Sequence, residues 1–166
     1  MAESLLYRAF TLLRGLIYSA AFIWLWTAIA MGVRKYDARL PVGVPPWLGP
    51  VGLALAVAGA IIAATCIATF IVRGRGTPAP FDPPREFVAT GPYRYVRNPM
   101  YVGAAMVILG AGLVVSSISI AVLAFAFVAI THAFVVLYEE PALDRAFGDS
   151  YQRYRAQVHR WLVWPP

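Results

Sequence analysis

Apolar residues in this chain fall into long blocks that end at charges, and those blocks give the first reading of the fold. One runs over about 15–33 and is closed by Arg34 and Lys35; another runs over about 47–72 and is closed by Arg73. Residues 100–138 then form a stretch of 39 without any Asp, Glu, Lys or Arg. A helix needs ~20 apolar residues to cross a bilayer, so this stretch predicts two crossings. Ser116, Ser117 and Ser119 mark the break, because serine side chains compete locally for backbone hydrogen bonds. The third helix is then short, at about 99–115, and the fourth covers about 119–138. Beyond that the pattern changes: Leu143, Phe147, Tyr151, Tyr154 and Val158 fall at offsets 0, 4, 8, 11 and 15, one face of a helix or helix pair. The expectation is an all-α polytopic membrane protein of about four transmembrane helices, capped by a helical segment over 139–166.

Composition makes the membrane assignment firm. Of 166 residues, 60% are hydrophobic and 13% charged, against roughly 45–50% and ~25% for a soluble domain. Surface-to-volume scaling leaves too many of these apolar side chains exposed for water to be their solvent. The length leaves room for one compact membrane domain over 1–166. A net charge of +6 would suggest nucleic acid in a soluble chain. Here basic residues at helix ends snorkel to anionic headgroups and set topology, so the expected partner is the lipid bilayer and no nucleic acid. With four crossings, 11 of the 14 basic residues share a side with both termini, which the positive-inside rule makes cytosolic. Thirteen of the 14 are Arg, which with the richness in Ala and Val fits a GC-rich bacterial genome, hence an inner membrane.

Several features read as structure and not as sites. Thr27-Ala28-Ile29-Ala30 resembles a signal-peptide cleavage site, but the apolar run before it is too long for the usual signal core, so a retained helix is expected. Gly52, Ala56, Ala60 and Ala64, with Gly59 and Ala63 beside them, form a small-residue stripe that lets helix backbones approach in lipid. The single cysteine, Cys66, excludes an intrachain disulfide and a Cys-cluster metal site, and its neighbours suit a small buried hydrophobe.

Two stretches carry chemistry. The first is Gly91-Pro92-Tyr93-Arg94-Tyr95-Val96-Arg97-Asn98-Pro99-Met100-Tyr101-Val102-Gly103. Asn98-Pro99 reads as an N-cap followed by the first residue of the third helix. Free backbone N–H groups and the positive dipole end would then form an anion site, reinforced by Arg94 and Arg97. The second starts at Glu139-Glu140-Pro141 and runs to Trp161. Adjacent carboxylates at the end of an apolar helix are costly unless hydrated or paired, and Arg94 and Arg97 are the available cations. The amphipathic face that follows could lie on the membrane or fold back as a lid over the first stretch. His132, seven residues before Glu139 in the same helix, is an intramembrane ionisable group and a candidate for touching substrate. A neutral histidine hydrogen-bonded within the bundle is the plainer reading of it.

Together, Gly-Pro-Tyr-Arg-Tyr-Val-Arg-Asn-Pro-Met-Tyr-Val-Gly, a charge-free helical hairpin, and Glu-Glu-Pro-x-Leu-x-x-x-Phe-Gly-x-x-Tyr-x-x-Tyr-x-x-x-Val-x-Arg-Trp resemble the isoprenylcysteine carboxyl methyltransferase and phospholipid methyltransferase superfamily of integral membrane enzymes. The resemblance covers about 77–166 and implies methyl transfer from S-adenosylmethionine, with S-adenosylhomocysteine as product, to a lipophilic or lipidated acceptor. The acceptor group could be a carboxylate, an amine or a thiol. It implies a cofactor pocket lined by Tyr93, Arg97, Asn98, Pro99, Tyr101 and Gly103, with Glu139, Glu140, Phe147, Tyr151 and Tyr154 contributed by the capping segment. Arg94, Arg97, Glu139 and Glu140 are the candidates for a part in the chemistry, and no metal is implied. The superfamily often has His where this chain has Asn98, which keeps hydrogen bonding and loses titration. The chain is shorter than the eukaryotic carboxyl methyltransferases, so a prenylcysteine substrate is not implied. The alternatives are an NADPH-dependent sterol-type membrane reductase, which carries a similar Tyr-Arg-x-x-Arg-Asn-Pro run, and a non-enzymatic membrane protein with a degenerate methyltransferase tail. Oligomeric state is left open.

Overall fold

A computed structural model describes residues 2–70, 72 and 87–162, the side chains of 2–9, 11 and 12 excepted. Arg73, Arg75, Arg85 and the last four residues of the tail, all used in the sequence reading, lie outside the described residues, as does the side chain of Arg8. Every regular element among the described residues is helical: α1 (Ala2–Arg34), α2 (Gly49–Thr69), α3 (Pro99–Val114), α4 (Ile118–Phe134), α5 (Glu140–Phe147) and α6 (Asp149–Gln157). α1 starts well ahead of its apolar block because the preceding Ala, Leu, Glu and Arg are good helix formers and no Pro interrupts them. Three helical stretches, Leu13–Arg39, Pro46–Thr69 and Ile118–Phe147, are long and apolar enough to cross a membrane. The chain is a membrane protein. α3 has 16 residues, about 24 Å at 1.5 Å each, which is short of the ~30 Å hydrocarbon layer. A fourth crossing therefore depends on this 16-residue helix.

The chain forms two compact units. One comprises Trp24–Ala63 and Met100–Phe134. Its core is Ile108, Ile120, Ala124 and Phe127, with Trp26 edge-on to Phe127 at 4.7 Å between ring centroids. The glycines of α2 meet the glycines of α3: a Cβ on Gly52 would lie 2.6 Å from the Gly110 carbonyl oxygen, and one on Gly103 would lie 2.7 Å from that of Gly59. The small-residue stripe is thus a backbone-to-backbone seam, the packing solution available where lipid supplies no hydrophobic drive between helices. The hairpin between α3 and α4 closes on the serines. Ser116 takes a positive φ of 52°, while Ser117 N–H donates to Gly112 and Ser116 N–H to Leu113, which satisfies the last carbonyls of α3. Ser117 Oγ then accepts from Ile120 N–H and the Asp37 carboxylate from Ser119 N–H at 2.8 Å, so α4 begins with two of its orphan donors paired.

The other unit comprises Met1–Ile23, Ala64–Pro99 and Val135–Pro166. Gly91 (φ 61°) turns the chain into a short 3-10 turn, Gly91–Arg94, and a side chain there would strike Thr69 Oγ1 at 2.9 Å. A π-helical turn, Val135–Glu139, precedes α5. Such turns hold an extra residue and rotate everything that follows; here Val135 and Glu140 are both buried. Gly148, at φ 46° and ψ −124°, ends α5 and starts α6, a conformation that costs a non-glycine residue heavily.

Candidate active site

The chemistry-bearing residues of this second unit converge on one carboxylate. Arg97 Nη1 contacts Glu140 Oε1 at 2.9 Å. Arg160 grips the same carboxylate through both oxygens, Nε to Oε1 at 2.7 Å and Nη2 to Oε2 at 2.9 Å. The Arg97 and Glu140 side chains are 10% and 8% exposed, and that of Arg160 is 27% exposed. In this dry setting a fork-to-fork pair is short and strong. Arg97 Nη1 also reaches the Tyr151 hydroxyl at 3.4 Å, while Arg97 Nε is buried without a hydrogen-bond partner.

The segment after α6 is strapped to the start of α3 by two more bonds. Arg97 N–H donates to the His159 carbonyl at 2.9 Å, and the Asn98 side-chain amide donates to the Arg160 carbonyl at 3.2 Å. The Asn98 side-chain N–H is thus turned to the strap, a contact that the sequence did not suggest. Arg97, Arg155, Ala156, Val158, His159 and Arg160 line a cavity of about 290 Å³. Three of the lining residues are arginines and none is acidic, so the cavity carries an excess of positive charge.

An aromatic cluster holds α5 and α6 to this site. Phe87 lies 5.3 Å from Phe147, 6.0 Å from Tyr151 and 5.2 Å from Tyr154, centroid to centroid. Tyr154 O–H donates to the Tyr93 carbonyl, and the Tyr93 ring meets Phe70 edge-on at 5.2 Å. Burial pushes the phenols of Tyr93, Tyr151 and Tyr154 above their ordinary value. Glu140 adds to this for Tyr151, and Cys66 for Tyr93. The hydrogen bond to Glu140 raises the Arg160 guanidinium further, so its charge is fixed.

Of the residues expected at a site, Tyr93, Arg97, Asn98, Pro99, Glu139, Glu140, Phe147, Tyr151 and Tyr154 all belong to this unit. Arg94 does not join Glu140; it is exposed and lies over the Tyr95 ring at 5.2 Å. Tyr101 and Gly103 belong to the other unit, where Tyr101 packs against Phe127 and Gly103 against the α2 backbone. His132 is exposed on α4, and the π turn after it means that a seven-residue spacing to Glu139 no longer implies one face. Arg160, Phe87 and the His159 carbonyl were not anticipated. Arg160 stood in the Val-x-Arg-Trp run but had no partner legible at that distance along the chain, and Phe87 sat in a stretch with no periodicity.

No curated protein matches the chain at a significant level. The sequence model of one family, described as phospholipid methyltransferase, matches residues 48–150, from the start of α2 through Arg97, Asn98 and Glu140 into α6. That is more than half of the molecule, and the chain belongs to the phospholipid methyltransferase family.

Proposed function

We propose that this protein transfers a methyl group from S-adenosylmethionine to a lipophilic acceptor, at a site built around Arg97, Glu140 and Arg160 on the cytosolic side of a bacterial inner membrane. The observation that carries the reading is the buried Arg97–Glu140–Arg160 cluster, whose first two members lie inside the family match. A carboxylate among guanidiniums suits a ligand that is itself zwitterionic, with an ammonium for the acidic group and a carboxylate for the basic ones. The buried Arg97 Nε supplies a donor still in need of an acceptor, and the adjoining cavity of about 290 Å³ is lined by further cations. The residues fit the cofactor on both counts.

Bound there, S-adenosylmethionine would supply an electrophilic methyl on a sulfonium. The protein's task is then mainly positioning, since a near-attack geometry of about 3–3.5 Å accounts for much of the rate in such displacements. Arg97 and Arg155 would hold the carboxylate of the methionyl moiety, and the acidic pair Glu139-Glu140 its ammonium. A carboxylate already committed to two guanidiniums is a poor proton acceptor, so Glu140 is a holding group. The exposed apolar faces of α1, α2 and α4 suit an acceptor that arrives through lipid. The test is transfer of labelled methyl from S-adenosylmethionine into lipid extract by the purified protein. Label in the organic phase is expected, and an Arg97→Ala protein should lose it; equal label from both proteins would sink the site assignment.

A further inference from the structure

Residues 97 and 98 hold the carbonyls of residues 159 and 160 respectively, and the side chain of Arg160 returns to Glu140, which closes back on Arg97. Four side chains and a short strap thus form one closed loop of contacts. We propose that Arg160 is a positioning residue for the ligand site, fixing the Glu140 carboxylate and locking the strap at 158–160 against the start of α3. The proposal rests on the reading that this site binds S-adenosylmethionine.

Arg97 alone touches Glu140 through one nitrogen on one oxygen. A single contact leaves a carboxylate free to rotate about its terminal bond, which is soft and roughly two-fold. Arg160 adds two parallel bonds, 2.7 and 2.9 Å, from a rigid planar fork, and this sets the plane of the carboxylate. The backbone of Arg160 is itself pinned by Asn98, so its guanidinium is presented from an anchored point. Less side-chain freedom is then lost when a ligand binds, which is the general advantage of preorganisation. Asn98 acts in the same device: its amide is the donor that holds the strap. An imidazole N–H at this position could hold the strap equally.

The experiment is a coupling cycle on the full chain in detergent or nanodiscs, with S-adenosylhomocysteine titrated by calorimetry into wild type, Arg160→Leu, Arg160→Lys, Glu140→Gln and the Arg160→Leu/Glu140→Gln double variant. Amide hydrogen exchange at Arg97 is followed in the ligand-free proteins. Arg160→Leu should weaken binding about tenfold, as loss of a charge-assisted contact does. Arg160→Lys, which keeps the charge and loses the fork, should recover part of that. The double variant should bind as Glu140→Gln does, because Arg160 acts through Glu140. The Arg97 amide, which donates to His159, should exchange faster in Arg160→Leu. Wild-type affinity in Arg160→Leu overturns the proposal, as does a double variant showing the product of the two single losses. Unchanged exchange at Arg97 overturns the strap. If Arg160→Leu does not fold, wild-type affinity in Arg160→Lys is the overturning result. A wild-type protein that takes up no S-adenosylhomocysteine removes the methyltransferase reading itself, which the other outcomes leave standing.

Discussion

Glu140 Oε1 is shared by two guanidiniums, Arg97 Nη1 at 2.9 Å and Arg160 Nε at 2.7 Å. Neutralising this carboxylate leaves Arg97, with a side chain only 10% exposed, without a counterion. Breaking one side of a buried pair costs roughly 3–5 kcal/mol. Arg160 still reaches solvent, which places Glu140→Gln near the low end, about 3 kcal/mol of stability. Thermal melts of the purified variant check this, and a melting temperature equal to wild type would mean that the pair is not formed in the folded protein.

The three buried phenols give the site a signature at alkaline pH. Tyr93, Tyr151 and Tyr154 are raised by burial, so the folded state holds their protons above the point, near pH 10, where an unfolded chain releases them. Their contribution to stability is fully present below about pH 10 and falls as pH rises from there toward the folded-state values. Of the nine tyrosines, these three should form phenolate only as the protein unfolds. Ultraviolet titration alongside circular dichroism reads both events. Phenolate absorbance from all nine before any loss of helix would contradict the packing around Phe87.

Much of the fold was legible in the pattern of apolar blocks because lipid imposes a simple rule: each span must satisfy its backbone internally and show apolar side chains outward. The short third helix and the serine hairpin follow from that rule and local backbone chemistry. The Arg–Glu pairing was legible only by type. The sequence offered Arg94 and Arg97 as equal partners, and the structure uses Arg97, because Arg94 sits in the 3-10 turn with its guanidinium over Tyr95. Arg160 could not be assigned, since a contact with Glu140 depends on the π turn and on the glycine break at Gly148, neither of which has a periodic signal. Gly103 was read as clearance for a ligand, and in the structure that clearance is occupied by the α2 backbone.

The Gly103 seam yields its own expectation. A Cβ there would lie 2.7 Å from the Gly59 carbonyl oxygen and 3.1 Å from Ala63 N, both backbone atoms that cannot rotate away. Gly103→Ala should lower the melting temperature by several degrees, in line with overpacking costs of about 1–3 kcal/mol. Affinity for S-adenosylhomocysteine in the folded fraction should not change. A stable variant with weakened affinity would return Gly103 to the cofactor pocket.

Asn98 tests the strap through its side-chain N–H. Asn98→His keeps a donor for the Arg160 carbonyl and should retain most activity. Asn98→Ala removes it and should weaken S-adenosylhomocysteine binding severalfold, with a stability loss of about 1 kcal/mol, the usual net worth of one hydrogen bond. Paired activity and melting measurements on the two variants decide it. Equal losses in both would show that the amide shape, and not its donor, is what matters.

Calorimetric titration of wild type and Glu140→Gln with S-adenosylhomocysteine, with NADPH as the competing ligand, addresses the central claim most directly. The account predicts saturable one-to-one binding of S-adenosylhomocysteine to the wild type, at least tenfold weaker in Glu140→Gln, and no heat from NADPH with either protein. Binding of NADPH without S-adenosylhomocysteine would contradict it.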